Sequence, residues 1–172
     1  MNWSRSLQIS AERMSVVVAD AGPLIALGRL NRLDLLPFLF SDVQVTATVL
    51  DECLARPDLP DAKRITDALS AGLIRRCPDA LSTDDGPLDP GESSAIARAN
   101  EIGAGLLLDD RAAVTHARAL GLKVIGTLGV LVLAKRRGKL QEIRSLIEQM
   151  RRAGHYLGDA AVLAALHAAD ET

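Results

Sequence analysis

The chain has 172 residues, 48% of them apolar and 24% charged, with a formal net charge of −2. That length fits one domain with a substantial core, and the slightly acidic balance argues against a broad, sequence-blind phosphate-binding face. Aromatic residues make up only 2%, which leaves the core to Leu, Val, Ile and Ala and speaks against stacking of nucleobases on aromatic platforms.

Residues 1–13 are polar and precede a second methionine, Met14, so they read as a flexible tail ahead of a single domain over 14–172. They carry no hydrophobic signal-peptide core. The longest apolar stretch, Leu128 to Ala134, is far too short to span a bilayer. Cys53 and Cys77 form no disulfide framework and lack metal-ligand spacing, which points to buried thiols in a reducing compartment. These features together predict a cytoplasmic protein with no membrane partner.

From residue 16 onward, short apolar runs alternate with helical stretches. Val16-Val17-Val18-Ala19 reads as a buried strand ended by Asp20, and Gly22-Pro23 opens a helix to about Leu30. Leu33 to Phe40 is a second helical stretch, broken at Pro37. Leu27, Leu30, Leu33, Leu35 and Leu36 are dense for so short a region. They predict an exposed apolar patch and self-association, most simply a homodimer. Val43 to Val45 is a strand, after which Thr46 or Thr48 caps a helix carrying Val49, Leu50, Glu52 and Leu54. A loop from Pro57 to Asp61 leads to a helix over Ala62–Ala71, stopped by Gly72, and then to a strand over Leu73–Cys77.

Pro78 to Pro90 holds Asp79, Asp84, Asp85 and Asp89 beside Gly86 and Pro87, a loop by composition. A helix from Gly91 to Ile102 and an apolar strand from Gly105 to Leu108 follow, the strand ended by Asp109-Asp110. Then come a helix to Leu120, a strand over Leu122–Ile125 and a helix over Leu128–Arg137 with Gly138 as its C-cap. Two amphipathic helices, Leu140–Arg152 and Asp159–Ala169, complete the chain. Five apolar strands separated by helices predict an α/β fold with a doubly wound parallel sheet.

Ligands in such sheets bind beyond the carboxyl ends of the strands. Asp20 ends the first strand, Asp109 and Asp110 end the fourth, Glu52 lies in the helix after the second, and Glu92 opens the helix entering the fourth. Carboxylates gathered on one rim repel each other, and a hard cation such as Mg²⁺ or Mn²⁺ relieves that repulsion. Each acid also has a purely structural use. Asp20 could make an Asx-turn, Asp110 could cap the next helix, Asp109 and Glu52 could be solvated. Asp89-Pro90-Gly91-Glu92 fits a capping box. Lys135-Arg136-Arg137-Gly138-Lys139 suits either phosphate contact or complementation of a helix C-terminus. His116, His155 and His167 have no zinc-ligand spacing, and no glycine-rich nucleotide fingerprint follows the first strand.

Three segments carry a resemblance: Val16-Val-Val-Ala-Asp-Ala-Gly-Pro-Leu-Ile25, Leu88-Asp-Pro-Gly-Glu-Ser-Ser-Ala-Ile-Ala97 and Leu106-Leu-Leu-Asp-Asp-Arg111. They resemble the acidic motifs of PIN-domain proteins and, more narrowly, the PIN-like group called DUF3368. Gly121-Leu-Lys-Val-Ile-Gly-Thr-Leu-Gly-Val130 is similar to that group too, and the likeness runs from about Val16 to Leu166. The resemblance implies a PIN-like three-layer sandwich, a five-stranded parallel sheet flanked by helices. It also implies a Mg²⁺- or Mn²⁺-dependent endoribonuclease acting on single-stranded RNA, often the toxin half of a toxin–antitoxin pair with an antitoxin protein as partner.

By motif, Asp20 matches the first family acid, Glu52 the second, Glu92 a position where many members have Asp, and Asp110 the acid after the fourth strand. Asp20, Glu52, Glu92 and Asp110 are thus the candidate catalytic set, and Asp20, Glu92, Asp109 and Asp110 the candidate metal ligands. The chain departs from the common pattern at Gly22 and Leu108, where hydroxyl residues are frequent. Two other readings stay open: a PIN-like binding or dimerisation module that has lost turnover, and a phosphatase-like α/β hydrolase of phosphoesters. The latter lacks the second aspartate that aspartyl-nucleophile phosphatases place two residues after the first.

Overall fold

The computed structural model describes residues 16–81 and 86–171. The polar segment 1–13 and the loop acids Asp84 and Asp85 lie outside the described residues. Five strands, β1 (Val16–Ala19), β2 (Asp42–Thr46), β3 (Arg75–Cys77), β4 (Gly105–Leu107) and β5 (Val124–Ile125), form one parallel sheet in the order β3-β2-β1-β4-β5. Val17, Val18 and Ala19 are all fully buried. Consecutive strand residues point to opposite faces, so β1 is covered on both, which is why parallel strands read as unbroken apolar runs.

The helices among the described residues are α1 (Ala21–Arg29), α2 (Leu35–Leu39), α3 (Ala47–Cys53), α4 (Pro60–Ser70), α5 (Pro90–Ile102), α6 (Arg111–Ala119), α7 (Thr127–Arg136), α8 (Arg144–Arg152) and α9 (Asp159–Ala168). Helix α5 lies across β1, β2 and β4, while α2 lies against β2 and packs on α7, which also meets α9 and α1. The fold is therefore α/β, a five-stranded parallel sheet flanked by helices.

Prolines explain most of the shifted helix starts. A first-turn amide has no intrahelical acceptor, so proline is tolerated there. Helix α1 begins two residues before Pro23, α4 begins on Pro60, and Pro37 sits in the first turn of α2 rather than breaking it. Helix α8 starts at Arg144, four residues later than its amphipathic pattern suggests. The reason is distant in sequence: the Glu171 carboxylate accepts the amides of Ile143 at 2.7 Å and Arg144 at 3.0 Å, fixing the helix start there. Gly103, at φ +65°, ends α5 in the left-handed conformation that favours glycine.

One expectation is corrected here. Leu27, Leu30, Leu33, Leu35 and Leu36 do not form an exposed patch; all five are buried in the chain's own core. Leu35 and Leu36 lie on α2, which packs against β2 and α7, and Leu27 lies on α1, which meets α7 and α4, so the apolar surface expected to drive self-association is already covered. No helix of the described residues is long and apolar enough to cross a membrane.

Every residue of α7 from Thr127 to Ala134 is buried. The helix is apolar on all sides because it packs on helices α1, α2 and α9 rather than facing water. Leu131→Ala, at a fully buried position, should lower the unfolding free energy by about 2–5 kcal/mol in a urea melt, through lost transfer energy and an incompletely collapsed cavity. A loss below about 0.5 kcal/mol, the usual size of a surface substitution, would contradict the all-round packing of α7.

Candidate active site

The strand order creates the site. The chain steps outward from β1 to β2 to β3, then returns to lay β4 on the other side of β1. The connections leaving β1 and β4 part there, opening a crevice beyond their carboxyl ends. Asp20 follows β1 directly, and its amide donates to the Leu107 carbonyl at 2.9 Å, carrying the β1–β4 ladder one residue further. On the other flank Thr46 closes β2 and caps α3, its Oγ1 accepting the Val49 amide at 3.3 Å. That helix carries Glu52.

Asp20 is only 7% exposed. It stands at the N-cap of α1 but makes no side-chain cap bond, and its buried Oδ1 has no hydrogen-bond partner among the described residues. Burial pushes its pKa up to about 7; the Ala21 amide opposes the shift, while Asp89, Glu92 and Glu52 add to it. Ionised, a carboxylate at this position is largely buried and stands among like charges.

Three more carboxylates gather at the amino end of α5. Asp89 and Glu92 form the capping box: the Glu92 amide donates to Asp89 Oδ1 at 2.8 Å and the Asp89 amide to Glu92 Oε2 at 3.2 Å. The Glu52 carboxylate occupies the space a Cβ on Gly91 would need, and the Gly91 backbone beside it favours its charged form. Partial burial and then the Asp89 charge hold the Glu52 pKa above its ordinary value. Glu92 is raised as well, chiefly by burial, with Asp89, Asp110 and Glu52 adding repulsion against the helping Asp89 amide.

Asp110 fills both roles expected of it. One oxygen caps α6 by accepting the Ala113 amide at 2.9 Å, and its charge also reaches Glu92. Asp109 is placed differently. Although the residue as a whole is exposed, its carboxylate is committed to the start of α7, accepting the Thr127 amide at 2.8 Å and the Thr127 hydroxyl at 2.6 Å. Crowding of that carboxyl pushes its pKa up against both hydrogen bonds. Among the described residues, no three His, Cys, Asp or Glu side chains stand close enough to hold a metal ion as they lie.

Two features went beyond the sequence candidates. Asp89 reads in sequence as a cap alone, yet its charge reaches Asp20, Glu52 and Glu92; its place one turn from Glu92 was the available signal. The second is a hydroxyl network. Asp79 accepts the Ser94 hydroxyl at 2.6 Å, the Thr48 amide at 3.1 Å and the Thr48 hydroxyl at 3.0 Å, while the Ser94 and Thr46 hydroxyls lie 2.7 Å apart. Burial would raise the Asp79 pKa, but these hydrogen bonds outweigh it and hold the group below its ordinary value. The network ties the ends of β2 and β3 to Ser94 of α5, fixing the helices that carry Glu52 and Glu92.

The basic run at the end of α7 is engaged largely within the fold. Lys135 pairs with Glu171 at 2.7 Å, Arg136 donates to the Ala168 carbonyl at 3.0 Å, and Lys139 lies 3.7 Å from Asp34. Cys53 and Cys77 are free and buried as expected; burial and then Asp20, Glu52 and Asp61 push the Cys53 thiol up to about 12, leaving it protonated and unreactive.

The site fixes a pH dependence. Asp20 ionises near its ordinary 3.8 in the unfolded chain and near 7 in the fold, so between those values the folded state binds more protons and stability falls as pH rises. About three pKa units correspond to roughly 4 kcal/mol, fully expressed above pH 7. Asp20→Asn should remove that component. Urea melts of wild type and variant in chelator from pH 4 to 8 should show the variant gaining relative stability steadily up to about pH 7. A difference that does not change with pH would mean that Asp20 ionises in the fold as it does in water.

Comparisons with known proteins place the chain. No curated protein matches it. Among solved structures it is similar to a PilT N-terminus domain protein from the hyperthermophilic archaeon Sulfolobus solfataricus P2, with a TM-score of 0.53 at 20% identity, over 74% of this chain and 95% of that one. At that identity the likeness speaks for the shared fold. The family model DUF3368, described as a PIN domain, matches residues 16–171, the span that holds the sheet and all the acids above. The chain belongs to the DUF3368 family of PIN domains.

Proposed function

We propose that this PIN domain is a ribonuclease dependent on Mg²⁺ or Mn²⁺, cleaving single-stranded RNA, and that it works as the toxin of a toxin–antitoxin pair. The observation that supports this reading best is Asp20, whose buried Oδ1 has no hydrogen-bond partner among the described residues and whose ionisation Asp89, Glu92 and Glu52 oppose. A buried carboxylate with no donor is costly unless a cation meets it. The donor set is all oxygen, which suits a hard cation and not zinc, and the neighbouring Cys53 stays protonated.

Asp20, Glu92 and Asp110 would hold the cation with Glu52 beside them, and Asp109 would join only by releasing Thr127. When bound, the cation supplies activation of a water and neutralisation of charge on the phosphate. The chain's own groups set the geometry. The cap to Ala113 orients Asp110, Gly91 leaves room for the Glu52 carboxylate, and the Asp79 network holds α3 against α5. A second reading, a binding module without turnover, draws on Gly22 and Leu108, which supply no hydroxyl to orient a water, and on the helix-end hydrogen bonds that engage Asp89, Glu92 and Asp110.

Purified protein is expected to cut labelled single-stranded RNA with Mg²⁺ or Mn²⁺, to stop in chelator, and to lose on the order of a hundredfold or more in rate as Asp20→Asn. Equal cleavage by wild type and variant would assign the activity to a contaminant. Binding of RNA without cleavage by either protein would favour the module without turnover.

A further inference from the structure

We infer that the cleft between the carboxyl ends of α1 and α8 is a binding site for the phosphate of a nucleotide. The inference concerns a place apart from the acidic rim and needs no cation. The cleft holds about 330 Å³, and none of Asp20, Glu52, Glu92 or Asp110 lines it. Its floor is apolar and buried, built from Leu30 at the end of α1 and Met150 in α8. Around that floor stand Arg29, Gln149, Arg152 and His155. An apolar pocket of this size with a few polar groups at its mouth suits a small ligand with one charged end.

An arginine in the last turn of a helix often does no more than complement its carbonyls. At α1 that task falls to another residue: Arg64 donates to the carbonyls of Gly28 at 2.8 Å and Arg29 at 3.1 Å. The Arg29 guanidinium itself is held loosely. Its Nη1 lies 3.4 Å from the Ala153 carbonyl and 3.4 Å from His155 Nε2, and its Nε 3.7 Å from the buried Asp61. Charge-assisted hydrogen bonds of a guanidinium settle at about 2.7–2.9 Å. The end of α8 repeats the division. Arg151 is bound to Asp159 at 2.6 Å, whereas Arg152 reaches Glu148 only at 3.6 Å, with its side chain 78% exposed. Each helix end thus has one closely engaged arginine and one loosely held, and both loose ones line the cleft. A phosphate suits this pair, because its several oxygens can accept donors from both walls at once. Gln149 adds amide donors at the same mouth. The cleft is larger than a phosphate alone requires, and Leu30 and Met150 offer apolar surface to the sugar or base.

Calorimetric titration in chelator tests the site without cleavage or metal. Adenosine monophosphate, adenosine and a short single-stranded oligoribonucleotide would each be added to wild type, Arg29→Gln, Arg152→Gln and Arg151→Gln, with melts confirming that each protein is folded. Arg152 is the more exposed of the two cleft arginines, so its variant carries the test if Arg29→Gln fails to fold. Wild type is expected to bind the monophosphate, and Arg29→Gln and Arg152→Gln to bind it about tenfold or more weakly. Arg151→Gln removes the same charge from outside the lining and should bind as wild type does. Matching losses with the oligoribonucleotide place a strand in the cleft; losses with the monophosphate alone place a free nucleotide there. The inference is overturned if wild type binds neither phosphate ligand, if adenosine binds as well as its monophosphate, or if Arg152→Gln loses no more than Arg151→Gln. The ribonuclease reading is decided separately, by cleavage in the presence of metal.

Discussion

The structure turns on a conflict between like charges and on the helix end that tempers it. Asp20, Glu52, Asp89, Glu92 and Asp110 are drawn towards one rim by the strand order. Left in bulk protein they would repel each other and protonate. The amino end of α5 answers with two amides, that of Asp89 donating to Glu92 and that of Glu92 donating to Asp89. The arrangement keeps Asp89 and Glu92 hydrogen-bonded within the protein, while Asp20 Oδ1 is buried with no partner among the described residues.

Capping and membership of the acidic rim go together in this protein. The capping box of Asp89 and Glu92 and the cap from Asp110 both exist, and both leave the charge of the capping residue within reach of the others. A carboxylate has two oxygens, and a cap uses one. The short side chain of Asp110 needs to be fixed to point usefully, and the α6 amide does that. Capping and mutual repulsion thus act through the same carboxylates.

The sheet was legible from sequence because its strands are buried on both faces and show as unbroken runs such as Val16 to Ala19 and Gly105 to Leu107. The positions of Asp20 after β1, Glu92 in the first turn of α5, Asp110 before α6 and Glu52 within α3 followed from the same reading. What stayed hidden depends on partners far away in the chain. The commitment of Asp109 is set by Thr127, the late start of α8 by Glu171, and the inward packing of the leucines around α2 by α7. Local periodicity holds no record of any of these. Asp89 was visible as a cap, but its charge matters only because Glu52 arrives from another helix.

The central place of β1 has a kinetic side. Its neighbours are β2, which follows soon after, and β4, which belongs to the far half of the chain. Pairing over so long a separation must first meet the entropy of closing the intervening loop. During synthesis, β1, β2 and β3 can associate early while the edge of β1 that will receive β4 stays open. Asp20 and Glu52 then wait for the helix carrying Asp89 and Glu92, and Asp110 comes last. The charged rim is assembled only when the second half of the sheet has closed against the first, so a nascent or truncated chain carries the acids without their crowding.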